Sequence, residues 1–143
     1  YLPHSDSDNS ESIFLNQMPE KSGITFRDEF VKKWELIYST RETVNKALEE
    51  KRNEKVIGKS LEANIIIHSG GEMFEKYSQL SDQLAEILIV SGVSVINDKD
   101  GETEFEVVRA TGEKCERCWV YSETVGKDSE HPTLCSRCAS VVK

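Results

Sequence analysis

Cysteine occurs four times in this chain, as Cys115-Glu-Arg-Cys118 and, after sixteen intervening residues, Cys135-Ser-Arg-Cys138. Each Cys-x-x-Cys knuckle turns tightly enough to direct two sulfurs at one ion. Two such knuckles make a tetrahedral four-thiolate site of the kind zinc takes, with bonds of about 2.3 Å. The competing readings are a pair of disulfides or a redox couple, and iron also accepts four thiolates. With no secretory segment in view, a reducing compartment is expected, and thiols there serve as metal ligands rather than disulfides. Four protein sulfurs leave no coordination position for a reacting water, so the ion is expected to be structural.

Several side chains stand beside these ligands. Trp119 follows the first knuckle and alternates with Tyr121, so the sequence predicts a strand leaving the knuckle and a return through Thr133-Leu134-Cys135, with residues 122–132 as the tip loop. Trp119 has two readings: a lid over the sulfurs, or an exposed platform on which an unpaired base would gain about 1 to 3 kcal/mol by stacking. Arg117 and Arg137 occupy equivalent places inside the knuckles, and Lys114 precedes the first. These three are either solvated or candidates for phosphate contact. His131 could replace a ligand, although four cysteines make that unnecessary, and His4 and His68 have no assignable partner.

The elements that must position these groups follow from periodicity. Residues 1–22 are polar apart from Ile13, Phe14 and Leu15, which suits a loop with one docking segment. From Phe26 to about Lys55, Phe30, Trp34, Ile37, Val44 and Leu48 recur at helical spacing, with Thr25 and Asp28 as a capping pair and Gly58 as the stop. Arg41 fills the one gap in that stripe and Arg52 lies further along it. Either the arginine stems pack at the stripe's edge, or Arg41 and Arg52, extended by Lys51 and Lys55, form a phosphate-binding face. Leu61 to His68 alternates like a strand with one buried face. Glu72 to Glu86 reads as helix, broken near Gln79, and Ile87–Ile96 and Glu104–Ala110 read as strands around a polar turn.

The expected fold is therefore α+β. A long amphipathic helix (23–58) leads from a linker (1–22) into a small α/β domain (59–111) with a mixed or antiparallel sheet. A β-hairpin stapled by the four-cysteine zinc site (112–143) follows. With 143 residues the chain has room for one modest core and one appendage. Its first residue is Tyr1, which points to a piece of a longer protein, and no apolar run approaches the roughly 20 residues of a membrane span. The net charge of −8 comes from 18 basic and 26 acidic residues. That balance excludes a chain that wraps nucleic acid over its whole surface, and leaves only a few placed cations for such contact.

The residues Gly112-Glu-Lys-Cys115-Glu-Arg-Cys118-Trp119 and His131-Pro-Thr-Leu-Cys135-Ser-Arg-Cys138 resemble the C-terminal zinc module of bacterial isoleucyl-tRNA synthetases. The stretch from Arg41 to Ala63 is similar to the family's link between the last helix of the anticodon-binding bundle and its α/β tail, and Glu11 to Pro19 is similar to the segment before that helix. The resemblance implies a class I ligase that uses ATP to join isoleucine to its tRNA, cytoplasmic and monomeric. None of the ATP-binding signatures lies in this sequence, so no catalysis is expected of it. It implies further that Cys115, Cys118, Cys135 and Cys138 hold one structural zinc and that the partners are the anticodon arm of tRNA(Ile) and upstream domains of the same enzyme. Trp119, Arg117, Arg137, Lys114, Arg41 and Arg52 are the candidate RNA contacts. The alternatives are a buttress that touches RNA little, and a zinc hairpin from another nucleic-acid-binding protein such as a DNA glycosylase.

Overall fold

A computed structural model describes residues 11–16, 23–98 and 101–142. The expected polar opening with His4, and residues 99 and 100 of the turn between strands, lie outside them. The chain forms two compact units, Tyr1–Lys33 and Trp34–Lys143. In the first, Ile13–Leu15 makes a 3₁₀ turn on which Phe14 and Leu15 stand exposed. Phe26 and Phe30 stack with ring centroids 5.1 Å apart.

Helix α1 runs Asp28–Asn53. It starts later than a Thr25 cap would dictate, because the Arg27 carbonyl accepts from Phe30 and Val31. Its buried stripe is Ile37, Thr40, Val44 and Leu48. Thr40, not Arg41, completes the pattern: a threonine can enter the core because its hydroxyl is hydrogen-bonded to the Tyr77 hydroxyl at 2.8 Å. Burial pushes the Tyr77 phenol up, and the Thr40 bond opposes it. The helix ends at Asn53, and the turn that stops it is built on Lys55, not on Gly58. Lys55 adopts φ 60°, and the Lys55 and Val56 N–H groups reach back to the Arg52 and Lys51 carbonyls, both at 3.0 Å, in a Schellman turn. Gly58 instead donates its N–H to the Glu62 carboxylate at 2.8 Å, and that bond holds the Glu62 pKa below the usual carboxylate value.

Strand β1 (Ala63–Ser69) is central in a sheet of order β2-β1-β3. It is parallel to β2 (Gly92–Asn97), pairing Ile65 with Val93, and antiparallel to β3 (Glu104–Arg109), pairing Ile65 with Val107. Strict alternation buries Ala63, Ile65, Ile67 and Ser69 on one face. Between β1 and β2 runs α2, Gly71–Leu88, as one helix without a break near Gln79. Its buried stripe Tyr77, Leu80, Leu84, Leu88 carries the helix through residues that the apolar run Ile87-Leu88-Ile89-Val90 assigned to a strand. A second Schellman turn ends it, with the β-branched Ile89 at φ 58°, ψ 50° and the Val90 N–H on the Ala85 carbonyl at 3.0 Å.

The C-terminal hairpin is shorter than expected and differently placed. β4 (Glu113–Lys114) pairs with β5 (Tyr121–Ser122) directly across the first knuckle. The second knuckle opens a helix, α3 (Ser136–Val142), instead of returning as a strand. No helix among the described residues is long and apolar enough to cross a membrane.

Candidate metal centre

The first knuckle is closed by its own backbone. The Trp119 N–H donates to the Cys115 carbonyl at 2.8 Å and the Cys115 N–H to the Val120 carbonyl at 3.0 Å. Closing so tight a turn puts Trp119 at φ 66°, so it does not continue a strand and shares no strand face with Tyr121. Before β4, Gly112 sits at φ 84°, and a Cβ there would lie 2.5 Å from the Glu123 nitrogen. Only glycine allows that approach. The second knuckle is the first turn of α3, with the Ala139 N–H on the Cys135 carbonyl at 2.9 Å. Two backbone N–H groups tie the knuckles together: Glu116 N–H to the Thr133 carbonyl at 3.2 Å, and Cys135 N–H to Cys115 Sγ at 3.3 Å.

The four sulfurs lie within 4.8 Å of one another, and Cys118 and Cys135 approach to 3.7 Å. A tetrahedron with zinc–sulfur bonds of about 2.3 Å has sulfur–sulfur edges of about 3.8 Å, so a small contraction closes the set around one ion. A disulfide would need about 2 Å, and convergence of all four on one point fits an ion and not two bridges. His131 is not among this group. Cys115, Cys135 and Cys138 are buried. Burial pushes the Cys115 thiol up, but N–H groups of Cys118, Cys135 and Arg117 outweigh it and hold the group at about 6. At Cys135 burial prevails and pushes the thiol up to about 12. A divalent ion displaces the protons that such a cluster keeps at neutral pH.

Val125 and Leu134 pack on the cysteine cluster. Trp119 stands out from the cluster: the residue is 56% exposed, with Lys114 Nζ 5.3 Å from the ring centroid. The other predicted residues divide into two groups. Arg41 is exposed on α1, off the buried stripe. Arg52 is engaged by Glu49 and by Ser60 Oγ at 2.6 Å. Arg117 reaches Cys138 Sγ at 3.7 Å and Arg137 pairs with Glu86 of α2 at 2.9 Å. The structure thus places Lys114, Trp119, Arg117 and Arg137 around one centre and leaves Arg41 and Arg52 on α1.

Two residues escaped the sequence reading. Ser91 Oγ accepts the Tyr121 N–H at 2.8 Å and donates to the Leu61 carbonyl, tying the hairpin to the entry of β1. Glu86 holds Arg137. Both act across long sequence separations, and no local pattern announces them. Between these two ties lies a groove of about 540 Å³ lined by Ala85, Ile89, Val90, Val120, Cys118 and Arg137 among others. In the tip loop, Asp128 turns its carboxylate onto the Glu130 and His131 N–H groups at 3.0 and 3.1 Å.

A family model described as "Zinc finger found in FPG and IleRS" matches residues 112–141. Over the whole chain, an isoleucine–tRNA ligase of Bacillus mycoides (strain KBAB4) is 43% identical across 152 aligned positions. The chain is similar to the C-terminal region of bacterial isoleucine–tRNA ligases. Ligases of Bacillus cereus strains B4264 and AH187 are each 44% identical over 142 positions, covering 93% of this chain. The chain spans 16% of the first relative and 15% of the other two. As a zinc finger with four cysteines positioned for one metal ion, its cofactor is zinc.

Proposed function

We propose that this chain is the C-terminal tRNA-binding portion of an isoleucyl-tRNA synthetase. It helps to position the anticodon arm of tRNA(Ile) for ATP-dependent aminoacylation carried out by other domains of a monomeric, cytoplasmic class I enzyme. The observation that carries this reading is the similarity to isoleucine–tRNA ligases, which extends over nearly the whole chain and not only over the zinc finger. A zinc hairpin from an unrelated nucleic-acid-binding protein would share residues 112–141 and little else. In this reading Cys115, Cys118, Cys135 and Cys138 hold the zinc, which shapes the module and takes no part in chemistry. The exposed Trp119 ring, with Lys114 beside it, offers a stacking face and a cation to an unpaired loop base and its phosphate. Arg41 supplies a second, exposed cation on α1.

A buttressing role is the second reading. It is favoured by the intramolecular partners that Arg52, Arg117 and Arg137 already hold and by the net charge of −8. Trp119→Ala separates the two. If the ring stacks on a base, tRNA(Ile) affinity of the synthetase falls by the equivalent of about 1 to 3 kcal/mol, while amino-acid activation is untouched. Unchanged tRNA affinity would leave the buttress. Titrating the isolated chain with the same tRNA at two salt concentrations then asks whether its few free cations suffice without the rest of the enzyme.

A further inference from the structure

The two knuckles treat their sulfurs unequally. Cys115, first in its knuckle, accepts the backbone N–H of Cys135 at 3.3 Å, and the N–H groups of Cys118 and Arg117 also hold its thiol down, as that of Cys138 does at Cys135, first in the other knuckle. A Cys-x-x-Cys turn brings its own amides to its first sulfur. The second sulfur of the second knuckle is met by a guanidinium from the opposite knuckle, and the second sulfur of the first shares its groove with another. Arg117 Nη1 lies 3.7 Å from Cys138 Sγ, and Arg137, anchored by Glu86 at 2.9 Å, lines the same groove as Cys118. The sequence repeats the arrangement, for both arginines hold the third place of Cys-x-Arg-Cys.

Four thiolates on a divalent ion carry two excess negative charges in a partly desolvated site. A guanidinium is permanently charged, weakly hydrated and rich in donors, so it suits an N–H···S contact at the edge of such a site. Two of them bring the centre to formal neutrality. We propose that Arg117 and Arg137 are positioning residues of the metal centre, each donating to the second sulfur of the opposite knuckle and offsetting the thiolate charge, so that together they raise zinc affinity and slow zinc loss. This rests on the zinc reading of the four cysteines and gives both arginines a task other than phosphate contact.

The test uses the full chain and zinc alone, competed against a chromogenic chelator. Arg117→Gln and Arg137→Gln each lower zinc affinity by about tenfold, the usual scale for losing a group that supports a metal ligand, and the double variant by more. Arg→Lys at either site restores most of the loss, since it returns the charge and a donor. Cobalt in place of zinc adds a signature that general destabilisation would not produce. Without the N–H donor the sulfur lone pairs rise in energy, so the sulfur-to-cobalt charge-transfer band moves to longer wavelength. A double Gln variant with wild-type zinc affinity and an unmoved cobalt band overturns the proposal. So does a set in which zinc affinity holds while tRNA affinity falls, which would return the arginines to phosphate. Should the Gln variants fail to fold, the cobalt band of the Lys variants decides: a smaller shift of the same sign supports the proposal, and none overturns it. Elemental analysis of the wild-type chain tests the zinc reading separately, and a chain that takes up no zinc overturns both.

Discussion

The α/β region and the C-terminal region reach their folds by different physics. Residues from α1, β1, α2 and β3 bring together Ile37, Leu48, Ile65, Ile67, Leu84 and Val107, all buried in one apolar cluster. Residues 112–142 have two short strands and a helix of seven residues, and their cluster consists of cysteines with Val125 and Leu134 alongside. Full burial of an aliphatic side chain contributes about 1.5 to 3 kcal/mol, so the first cluster stabilises its region without help. The second cannot offset the conformational entropy of some thirty residues, and there the metal must supply the difference. One chain thus combines a region whose fold is set by apolar pattern with one whose fold is set by ligand spacing.

The largest effect should come from taking the metal away. Zinc binding to small finger domains is worth about 10 to 16 kcal/mol, so a chelator should strip amide protection from residues 112–142 while the amides of β1 and α2 keep theirs. Hydrogen exchange followed with and without chelator reads this directly. If both regions lose protection together, the division fails, and the ties at Ser91–Tyr121 and Arg137–Glu86 would be holding the α/β region in place. The converse experiment is Ile65→Ala, which opens a cavity under a completely buried side chain. It should cost about 2 to 5 kcal/mol, seen in the urea midpoint, with zinc stoichiometry unchanged below the transition.

This contrast also decides what the sequence could reveal. The convergence of the four cysteines was legible to the residue, because four sulfurs at fixed spacing admit few geometries. Strand β1 was legible because Ala63, Ile65 and Ile67 alternate strictly. The end of α2 was not: Ile87 to Val90 is apolar without a break, and only the packing of Leu88 on the core assigns it to helix. Both Schellman stops were hidden because Lys55 and Ile89 occupy left-handed positions where glycine is the usual signal. Thr40 was passed over in favour of Arg41 because its burial depends on Tyr77, a partner 37 residues away. Trp119 stayed ambiguous between lid and platform until the knuckle's own turn placed it outside.

Gly112→Ala sharpens the comparison at the seam of the C-terminal region. A methyl at φ 84° pressed on the Ser122–Glu123 backbone is strained twice, by conformation and by contact. The expected loss exceeds about 1 kcal/mol and should fall on the region that holds the metal, as faster zinc release to a chelator with an unaltered urea midpoint for the α/β region. An equal loss in both regions would mean that the seam transmits strain to the core.

The smallest effect separates the two regions by the sign of their pH dependence. On the solvent face of β1, His68 Nδ1 lies 2.8 Å from Asp98 Oδ2 and Nε2 lies 3.3 Å from Glu106 Oε2. Both ring nitrogens must donate to satisfy this geometry, which is possible only for imidazolium. The hydrogen bond to Asp98, then that to Glu106, accordingly raises the His68 pKa above 6.5. A group whose folded pKa is raised contributes stability that is fully present below its unfolded pKa and lost as pH rises through the folded value. The α/β region should therefore lose this contribution on going from below 6.5 to above the raised pKa, and His68→Gln, which has no charge to lose, should be flatter over that window. Zinc binding runs the other way, since thiols must shed protons to ligate and affinity climbs with pH. Urea midpoints of wild type and His68→Gln across the window, set beside chelator competition on the same samples, should slope in opposite directions. If the His68→Gln profile parallels wild type, the imidazolium pair contributes nothing to the fold, and any remaining pH dependence of the chain belongs to other groups.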